Sequence, residues 1–297
     1  MFNNNLLNYI RIYMKNKILF IFIFNPILCY SNNYNFITLN DEFDNSGKFT
    51  LVTSSSLHLK NSHEFLRRNV FDIQNYDNSY GSEKYQVLSF EQGIRYGLTN
   101  KINISGSINS SYSKYSFVSR EESRKEQSYD KLRFDTINIG LSTKLNNFKS
   151  DWNKSIYFSS DAIIKNENTS FFKNFYLDYI IDKTIDPIVL SLKTGLKYYS
   201  KIKKYNQYFK PSNVINIKPR VDFLVNPQIS ISLSTEIQLK SSEKYNEKVT
   251  NVSGIENFLS IGISYNLNLK NRLYFETSFN TTGNSGATIY LNFEKDL

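Results

Sequence analysis

The chain contains very few of the residues that bind metals, form disulfides or build cofactor sites. Its 297 residues include one Cys, one Trp, two Met and two His. A single cysteine excludes an intrachain disulfide, and two histidines are too few for a histidine-based zinc site. No glycine-rich phosphate-binding loop occurs among the 11 glycines. We therefore expect no cofactor, no bound metal and no catalytic residues.

Long apolar runs are also missing, with one exception near the N-terminus. Residues 18–28 (ILFIFIFNPIL) follow a short basic segment. A basic segment followed by an apolar run of this length is typical of a secretory signal peptide, and the run is too short for a membrane-spanning helix. We predict a signal peptide over residues 1–31, with Met14 as an alternative start, and a periplasmic N-terminal extension over residues 32–48.

From residue 49 onward the chain is dominated by alternation of apolar and polar residues. Residues 229–239 read ISISLSTEIQL, with an apolar residue or Thr at every second position. Successive side chains of a β-strand point to opposite faces, so this pattern describes a sheet with one apolar and one polar face. About twelve such segments without a helical stretch predict an antiparallel all-β protein. The clearest segments are residues 88–98, 102–112, 188–198, 229–239, 259–269 and 287–293.

At eight of the eleven connections between these segments, long and short alternate; the exceptions are residues 166–169 and 283–285, which are too short, and residues 146–154, which are too long. The long ones are residues 61–82, 118–131, 199–211 and 241–254, and the short ones are residues 99–100, 182–186, 226–227 and 268–271. Outer-membrane barrels have short periplasmic turns, longer external loops and an even number of strands. A secreted β-sandwich would explain the strands but not this alternation. We predict a transmembrane β-barrel of about 12 strands over residues 49–297, with both termini periplasmic, in the outer membrane of a diderm bacterium.

The chain is basic, with a formal net charge of +9 and a sequence pI near 9.2. Lys201, Lys203, Lys204 and Lys210 fall in one predicted external loop. At that position we expect contact with outer-membrane lipid and lipopolysaccharide phosphate. No nucleic-acid recognition module accompanies the charge, so we expect no nucleic-acid partner.

The polar face of the predicted strands collects the candidate functional residues. If the apolar face is turned to lipid, the lumen is lined by His58, Glu91, Arg95, Lys144, Asp161, Lys193, Lys197, Lys218, Arg220, Asp222, Glu236 and Glu276. Acids and bases that pair across the lumen would fill it, as in small barrels. Segregated charges would instead leave a narrow polar pore, which would be mildly anion-preferring because of a basic patch of Lys193, Lys197, Lys218 and Arg220 on one wall.

Several segments resemble one family of outer-membrane barrels. Residues 90–107 (FEQGIRYGLTNKINISGS) resemble the strand–GLT turn–strand unit of the phenol meta-pathway-like transporters. Residues 186–190 (DPIVL), with Gly195 and Tyr198 after them, are similar to that family's DPxxL strand. The closing strands are similar over residues 226–238, 259–267 and 273–286.

This resemblance covers residues 84–293 and implies a barrel fold and a transporter whose small-molecule substrate is unknown. The chain departs from the family pattern at its end, because Phe293 is followed by Glu-Lys-Asp-Leu rather than being terminal. Leu297 shares the parity of Phe293, and we expect it to replace the terminal aromatic residue that the barrel-assembly machinery reads.

Three functions fit these observations. The first is a narrow conduit or transporter for small molecules, including anionic or hydrophobic ones. The second is a structural or adhesion barrel with a closed lumen. The third is an outer-membrane hydrolase centred on His58, which has serines upstream. The residues around His58 (SSSLHLKNSHEF) lack the sequence environment of outer-membrane phospholipases, so we expect that the protein is not an enzyme.

Overall fold

The structure is a computed structural model that describes residues 46–62, 81–119, 126–145, 152–165, 169–204, 207–268, 270–282 and 286–297. The predicted signal peptide, with the alternative start at Met14, lies outside these ranges. So do residues 32–45 of the predicted extension. Among the described residues no helix is long and apolar enough to cross a membrane.

Almost all of the described chain is extended. Its strands are β1 (Phe49–Ser62), β2 (Gly81–Thr99), β3 (Ile102–Ser119), β4 (Glu126–Leu145), β5 (Asn153–Lys165), β6 (Thr169–Phe171), β7 (Phe175–Ile185), β8 (Ile188–Tyr198), β9 (Ile202–Lys204), β10 (Gln207–Lys210), β11 (Val214–Leu224), β12 (Ile229–Lys240), β13 (Glu243–Tyr245), β14 (Lys248–Asn251), β15 (Gly254–Asn268), β16 (Asn271–Asn280) and β17 (Gly286–Asp296).

Twelve of these strands form one closed antiparallel barrel. Their order is β4-β3-β2-β1-β17-β16-β15-β12-β11-β8-β7-β5, and the pairing of β4 with β5 closes the cylinder. The short β6 adds only a three-residue ladder to the end of β5. Closure leaves no strand edge with unpaired backbone groups around the wall. The antiparallel barrel of about 12 strands predicted from the alternation is confirmed.

The barrel has two different rims. At the terminal rim the first and last strands meet, and the N–H of Leu297 donates to the carbonyl of Phe49 at 2.9 Å. The tight turns between β2 and β3, β7 and β8, and β11 and β12 lie at this same rim. Residues 46–48, the described end of the predicted extension, bond to the β2–β3 turn there, for example through Ser46 N–H to Asn100 Oδ1 at 3.0 Å. The opposite end, which carries the longer connections, is the loop rim.

The apolar face of the sheet is on the outside. In β12 the serines Ser230, Ser232 and Ser234 are 2–4% exposed, whereas Ile231 and Leu233 are 45% and 52% exposed. The same alternation runs through β8, β11 and β15. A water-soluble barrel would bury the aliphatic parity, but this barrel buries the hydroxyl parity. An apolar band outside and a polar interior are characteristic of barrels that stand in lipid.

Two of the predicted long connections form a small second sheet at the loop rim. The order of this sheet is β14-β13-β10-β9, so the β8–β11 connection pairs with the β12–β15 connection. Phe209 lies opposite Tyr245 at the junction. The turn between β13 and β14 has left-handed residues at Asn246 and Glu247, with φ of 44° and 65°, as a type I′ hairpin requires. We call these four strands the rim sheet.

The irregularities of the wall are not where the sequence suggests. Pro219 predicts a bulge because proline cannot donate to a ladder. This is wrong: β11 keeps one register with β12 from Ile217 through Arg220. Register shifts occur instead in β4 and β5, where Asp135 and Ala162 are the extra residues, and next to the β2–β3 and β15–β16 turns. Residues 118–131, predicted as a loop, are largely strand, since β3 continues to Ser119 and β4 begins at Glu126.

Candidate functional site: the barrel interior

All twelve predicted lumen residues lie on barrel strands, at positions of the buried, polar parity. His58 is on β1, Glu91 and Arg95 on β2, Lys144 on β4, Asp161 on β5, Lys193 and Lys197 on β8, Lys218, Arg220 and Asp222 on β11, Glu236 on β12, and Glu276 on β16. Each is buried or half-buried. That they line a solute path remains a prediction. Their contacts divide the interior into distinct regions.

One wall carries a dense group of charged and aromatic side chains. Lys218 Nζ lies 3.1 Å from Glu276 Oε1. The Nε of Arg220 donates to both oxygens of Asp222, at 2.8 and 3.0 Å, and its NH1 donates to the Tyr274 hydroxyl at 3.2 Å. The Tyr274 hydroxyl donates in turn to Glu276. We call these five residues the interior ion cluster. The positive charges of its two cations balance the negative charges of its two carboxylates.

Small side chains beneath this cluster give it room. The strands between β11 and β16 present Ser232, Ser234, Ser260 and Gly262 to the interior. A Cβ added to Gly262 would lie 2.5 Å from the Ser232 hydroxyl and 2.9 Å from the Tyr274 hydroxyl. The Tyr274 hydroxyl therefore occupies space that a side chain at residue 262 would need. The serine repeat that marks β12 in the sequence is the surface on which the long side chains rest.

A second group of polar contacts joins the first and last strands. Arg95 and Arg272 lie 3.8 and 4.0 Å from the same carboxylate oxygen of Glu294. Nearer the loop rim, His58 Nδ1 lies 2.8 Å from the hydroxyl of Thr288 on β17. These side chains connect β1, β2, β16 and β17 in addition to the backbone ladder.

Asp161 lies deep beside the loop rim, with 4% of its surface exposed. It accepts hydrogen bonds from the Tyr176 hydroxyl at 2.7 Å, from Asn174 Nδ2 at 2.7 Å and from Asn138 Nδ2 at 3.3 Å. Burial raises the pKa of the neighbouring Tyr199, just outside β8, and the negative charge of Asp161 raises it further. Three donors satisfy the carboxylate, so its role here is to hold β4, β5 and β7 together.

The predicted basic patch is largely neutralised. Besides the two cations of the interior ion cluster, Lys193 is paired with Asp178 on β7, with Nζ 2.7 Å from Oδ2. Lys197 lies opposite Tyr176 in one ladder and Val214 in the other. On the terminal side, Lys144 lies opposite Ser155 of β5. Asp182, which is 3% exposed, accepts a hydrogen bond there from Asn153 Nδ2 at 3.0 Å.

Glu236 accepts a hydrogen bond from the side-chain amide of Gln238 on the same strand, at 2.8 Å.

Glu91 has a different position, because it borders an open part of the interior together with Arg95. This open part is a cavity of about 170 Å³. Its other lining residues on β1 to β7 include Val52, Gly93, Ser105, Ser107, Ser142, Ser155, Tyr157 and Ile180.

Sequence reasoning missed several interior residues. Arg272 and Tyr274 precede Glu276 at intervals of two, and Glu294 follows the outward Phe293. Counting every second residue from Glu276 would have found the first two. The serines of the cavity carry no comparable signal, because small polar residues also fill turns and exposed strand faces.

The interior has no evident metal site. Within the ranges that the structure describes, no three or more His, Cys, Asp or Glu side chains come together in a way that could hold a metal ion.

Comparison with known proteins relates the chain to outer-membrane barrels through its fold. No protein-family model matches the sequence, and no curated protein matches it. The COG4313 outer membrane channel from Pseudomonas putida F1 superposes with a TM-score of 0.59 at 8% identity, covering 91% of this chain and 100% of that one. The NanC porin gives a TM-score of 0.49 at 8% identity, covering 83% and 100%. The CymD monoaromatic hydrocarbon channel gives 0.44 at 8% identity, covering 87% and 90%.

At such identities the likeness concerns the fold alone. The fold is that of outer-membrane β-barrels, in agreement with the sequence prediction. The narrower resemblance to phenol meta-pathway-like transporters is not matched by a family model and remains a hypothesis.

Proposed function

We propose that the protein is an outer-membrane β-barrel that conducts small molecules across that membrane. The observation that carries this proposal is the inverted barrel, whose interior is polar and holds a cavity of about 170 Å³ with four serines and two glycines among its lining residues. Interior side chains of this kind can replace part of the hydration shell of a passing solute. The superposable COG4313 protein is described as an outer membrane channel, which supports the same assignment.

The proposal includes an orientation. The terminal rim faces the periplasm, because tight turns occupy the periplasmic side of such barrels. The loop rim and the rim sheet then face outward, where their lysines meet lipopolysaccharide phosphate. The barrel-assembly machinery would insert the protein after removal of the signal peptide. An epitope inserted after Glu247 should be accessible to antibody on intact cells, whereas one in the β11–β12 turn should not; the reverse result would contradict this orientation.

Single-channel recording tests the conduction itself. Protein refolded in detergent and added to a planar lipid bilayer should give discrete conductance steps. Replacing Lys193 by Gln leaves the interior charge of Asp178 without its counter-ion and should therefore change the ion preference. Lys270→Gln, in the exposed β15–β16 turn, is the matched control and should leave the ion preference unchanged. Silent bilayers from a preparation that migrates as a folded barrel would overturn the proposal.

One observation favours a second candidate, a structural or adhesion barrel with a closed lumen. Five interior cations of the described strands are paired: Arg95 and Arg272 with Glu294, Lys193 with Asp178, Lys218 with Glu276, and Arg220 with Asp222. A lumen crossed by such pairs would conduct nothing. Deleting the connection between β8 and β11 would then abolish a surface phenotype, whereas a conduit would keep its conductance.

The proposal includes no enzymatic activity. His58, the centre of the hydrolase alternative, is 2.8 Å from the Thr288 hydroxyl inside the barrel wall. Ser54, one of the serines upstream, donates instead to Asn292 Oδ1 at 3.1 Å. If His58→Ala reduced lipid turnover in membranes that contain the protein, this part of the proposal would fail.

A further inference from the structure

The two halves of the barrel interior are lined differently. The half formed by β11, β12, β15 and β16 carries the interior ion cluster, whose side chains lie across the wall. Beneath them Ser264, which is 4% exposed, accepts a hydrogen bond from Ser230 at 3.2 Å. A solute therefore cannot reach the backbone wall on this side without displacing Arg220 or Tyr274.

The half formed by β2 to β5 is lined mainly by small side chains. Gly93, Ser105, Ser107, Ser142 and Ser155 all border the cavity, and Ser107 is only half-buried. A Cβ added to Gly93 would lie 3.1 Å from the Cβ of Ser107, so there is little room for a side chain at residue 93. The cavity extends from Val52 on β1 to Ile180 on β7.

We propose that solute moves along the β2–β5 wall through this cavity, and that the β11–β16 wall is a filled side of the lumen. This inference rests on the proposed function and adds the route and the class of solute. We call the cavity-lining serines and glycine, with Glu91 and Arg95, the small-residue path.

The small-residue path favours polar solutes without net charge. The polar part of its described lining consists of serine hydroxyls and the Tyr157 hydroxyl, together with one carboxylate, Glu91, and one guanidinium, Arg95. The apolar part comes from Val52, Ile94, Ile156 and Ile180. An anion would approach Glu91 and a cation would approach Arg95, each meeting a like charge. A small uncharged solute escapes both repulsions and can hydrogen-bond to the hydroxyls. The mildly anion-preferring pore predicted from the sequence is replaced by a weakly selective one in this proposal.

Cysteine accessibility can test the route, because the chain has only one cysteine. In a full-length Cys29→Ser background, Ser107→Cys places a thiol on the small-residue path, and Ser264→Cys places one on the filled side. A thiol must be reached by solvent in order to react, so a water-soluble methanethiosulfonate should modify Ser264→Cys at least about tenfold more slowly. Modification of Ser107→Cys should reduce the single-channel conductance. Ser142→Cys is a second variant on the path if Ser107→Cys does not fold.

The possible results separate the route from the function. If the unmodified protein conducts but the reagent leaves both path variants unaffected, the route is wrong and the conduit stands. Equal reaction at Ser264→Cys would also overturn the division into two halves. If the folded, unmodified protein never conducts, the proposed function fails and the route fails with it.

The same recordings test the solute class. In a KCl gradient the unmodified channel should give a reversal potential close to zero. Arg95→Gln should shift it towards cation preference, and Glu91→Gln should shift it towards anion preference. A strongly anion-selective unmodified channel, or no shift with either variant, would overturn the assignment of these two residues.

Discussion

Lys218 Nζ lies 3.1 Å from Glu276 Oε1, although β12 and β15 separate the two strands that carry these residues. Neighbouring strands are about 4.8 Å apart, so the pair bridges about 14 Å of wall. Such a reach is possible only because the intervening strands present Ser234, Ser260 and Gly262 to the interior. A long-range side-chain contact thus depends on small residues between its partners.

Breaking this ion pair from one side should destabilise the barrel. Lys218→Met leaves the half-buried Glu276 carboxylate without its cation, and we expect a loss of about 1–3 kcal/mol in the free energy of unfolding. Combining it with Glu276→Gln should recover part of that loss, because the two residues are coupled. Urea unfolding in detergent measures both. The more exposed pair of Lys240 and Glu256, 2.7 Å apart, is the control, and Lys240→Met should cost less than about 1 kcal/mol.

Gly262 should not tolerate even a methyl group. Its added Cβ would lie 2.9 Å from the Tyr274 hydroxyl and 3.0 Å from the Phe275 carbonyl. Gly262→Ala should therefore lower stability by about 1–3 kcal/mol, as overpacking does. Gly254→Ala is the matched control, since nothing lies within 4 Å of the Cβ it would add. Equal unfolding midpoints for the two variants would contradict the packing of Tyr274 over this glycine.

A charged residue on the outer face should destabilise the barrel more, the closer it lies to the middle of the bilayer. Leu233 lies in the middle of β12 and is 52% exposed on the apolar side. If that side faces hydrocarbon, Leu233→Arg should destabilise the barrel by about 2–4 kcal/mol, and Leu239→Arg, near the loop rim, by about 0–1 kcal/mol. Unfolding of both variants in lipid vesicles gives the comparison. Similar costs at the two positions would mean that the apolar face does not span a bilayer.

The rim sheet should respond to pH through Glu247. A hydrogen bond from Lys201, together with that lysine's positive charge, holds the pKa of the Glu247 carboxyl below its ordinary value. A lowered pKa in the folded state means that the pair stabilises the rim sheet above the ordinary carboxyl pKa and loses this effect as the pH falls through the lowered pKa. Carboxyl NMR titration should show the pKa rising in Lys201→Ala. An unchanged pKa would exclude the pair.

The barrel architecture was predictable because the two-residue period of a strand can be recognised within a short stretch of sequence. Residues 229–239 alternate strictly, and β12 buries their serines and exposes their aliphatic residues as expected. Turn positions followed from the same alternation. For example, the predicted break at residues 226–227 falls inside the structure's β11–β12 turn. The alternation carries no information about which side chains contact each other across one or two intervening strands.

The rim sheet and the interior ion pairs could not be predicted for that reason, because they join residues that are far apart in the sequence. Nothing in the β8–β11 connection alone indicates that Phe209 will lie opposite Tyr245 of another connection. Lys193 and Lys218 suggested a basic patch in the sequence because their partners, Asp178 and Glu276, are on other strands. The bulge at Ala162 escaped prediction because alanine fits either face, whereas Pro219 suggested a bulge although β11 keeps its register there.

The ladder between β1 and β17, which ends at the bond from Leu297 to Phe49, has a consequence for biogenesis. The strand that pairs with β1, β17, is the last of the barrel strands in chain order. Closure therefore cannot proceed progressively as the polypeptide emerges. Until β17 is in place, β1 and β16 each keep one unpaired backbone edge, which cannot be left exposed to hydrocarbon.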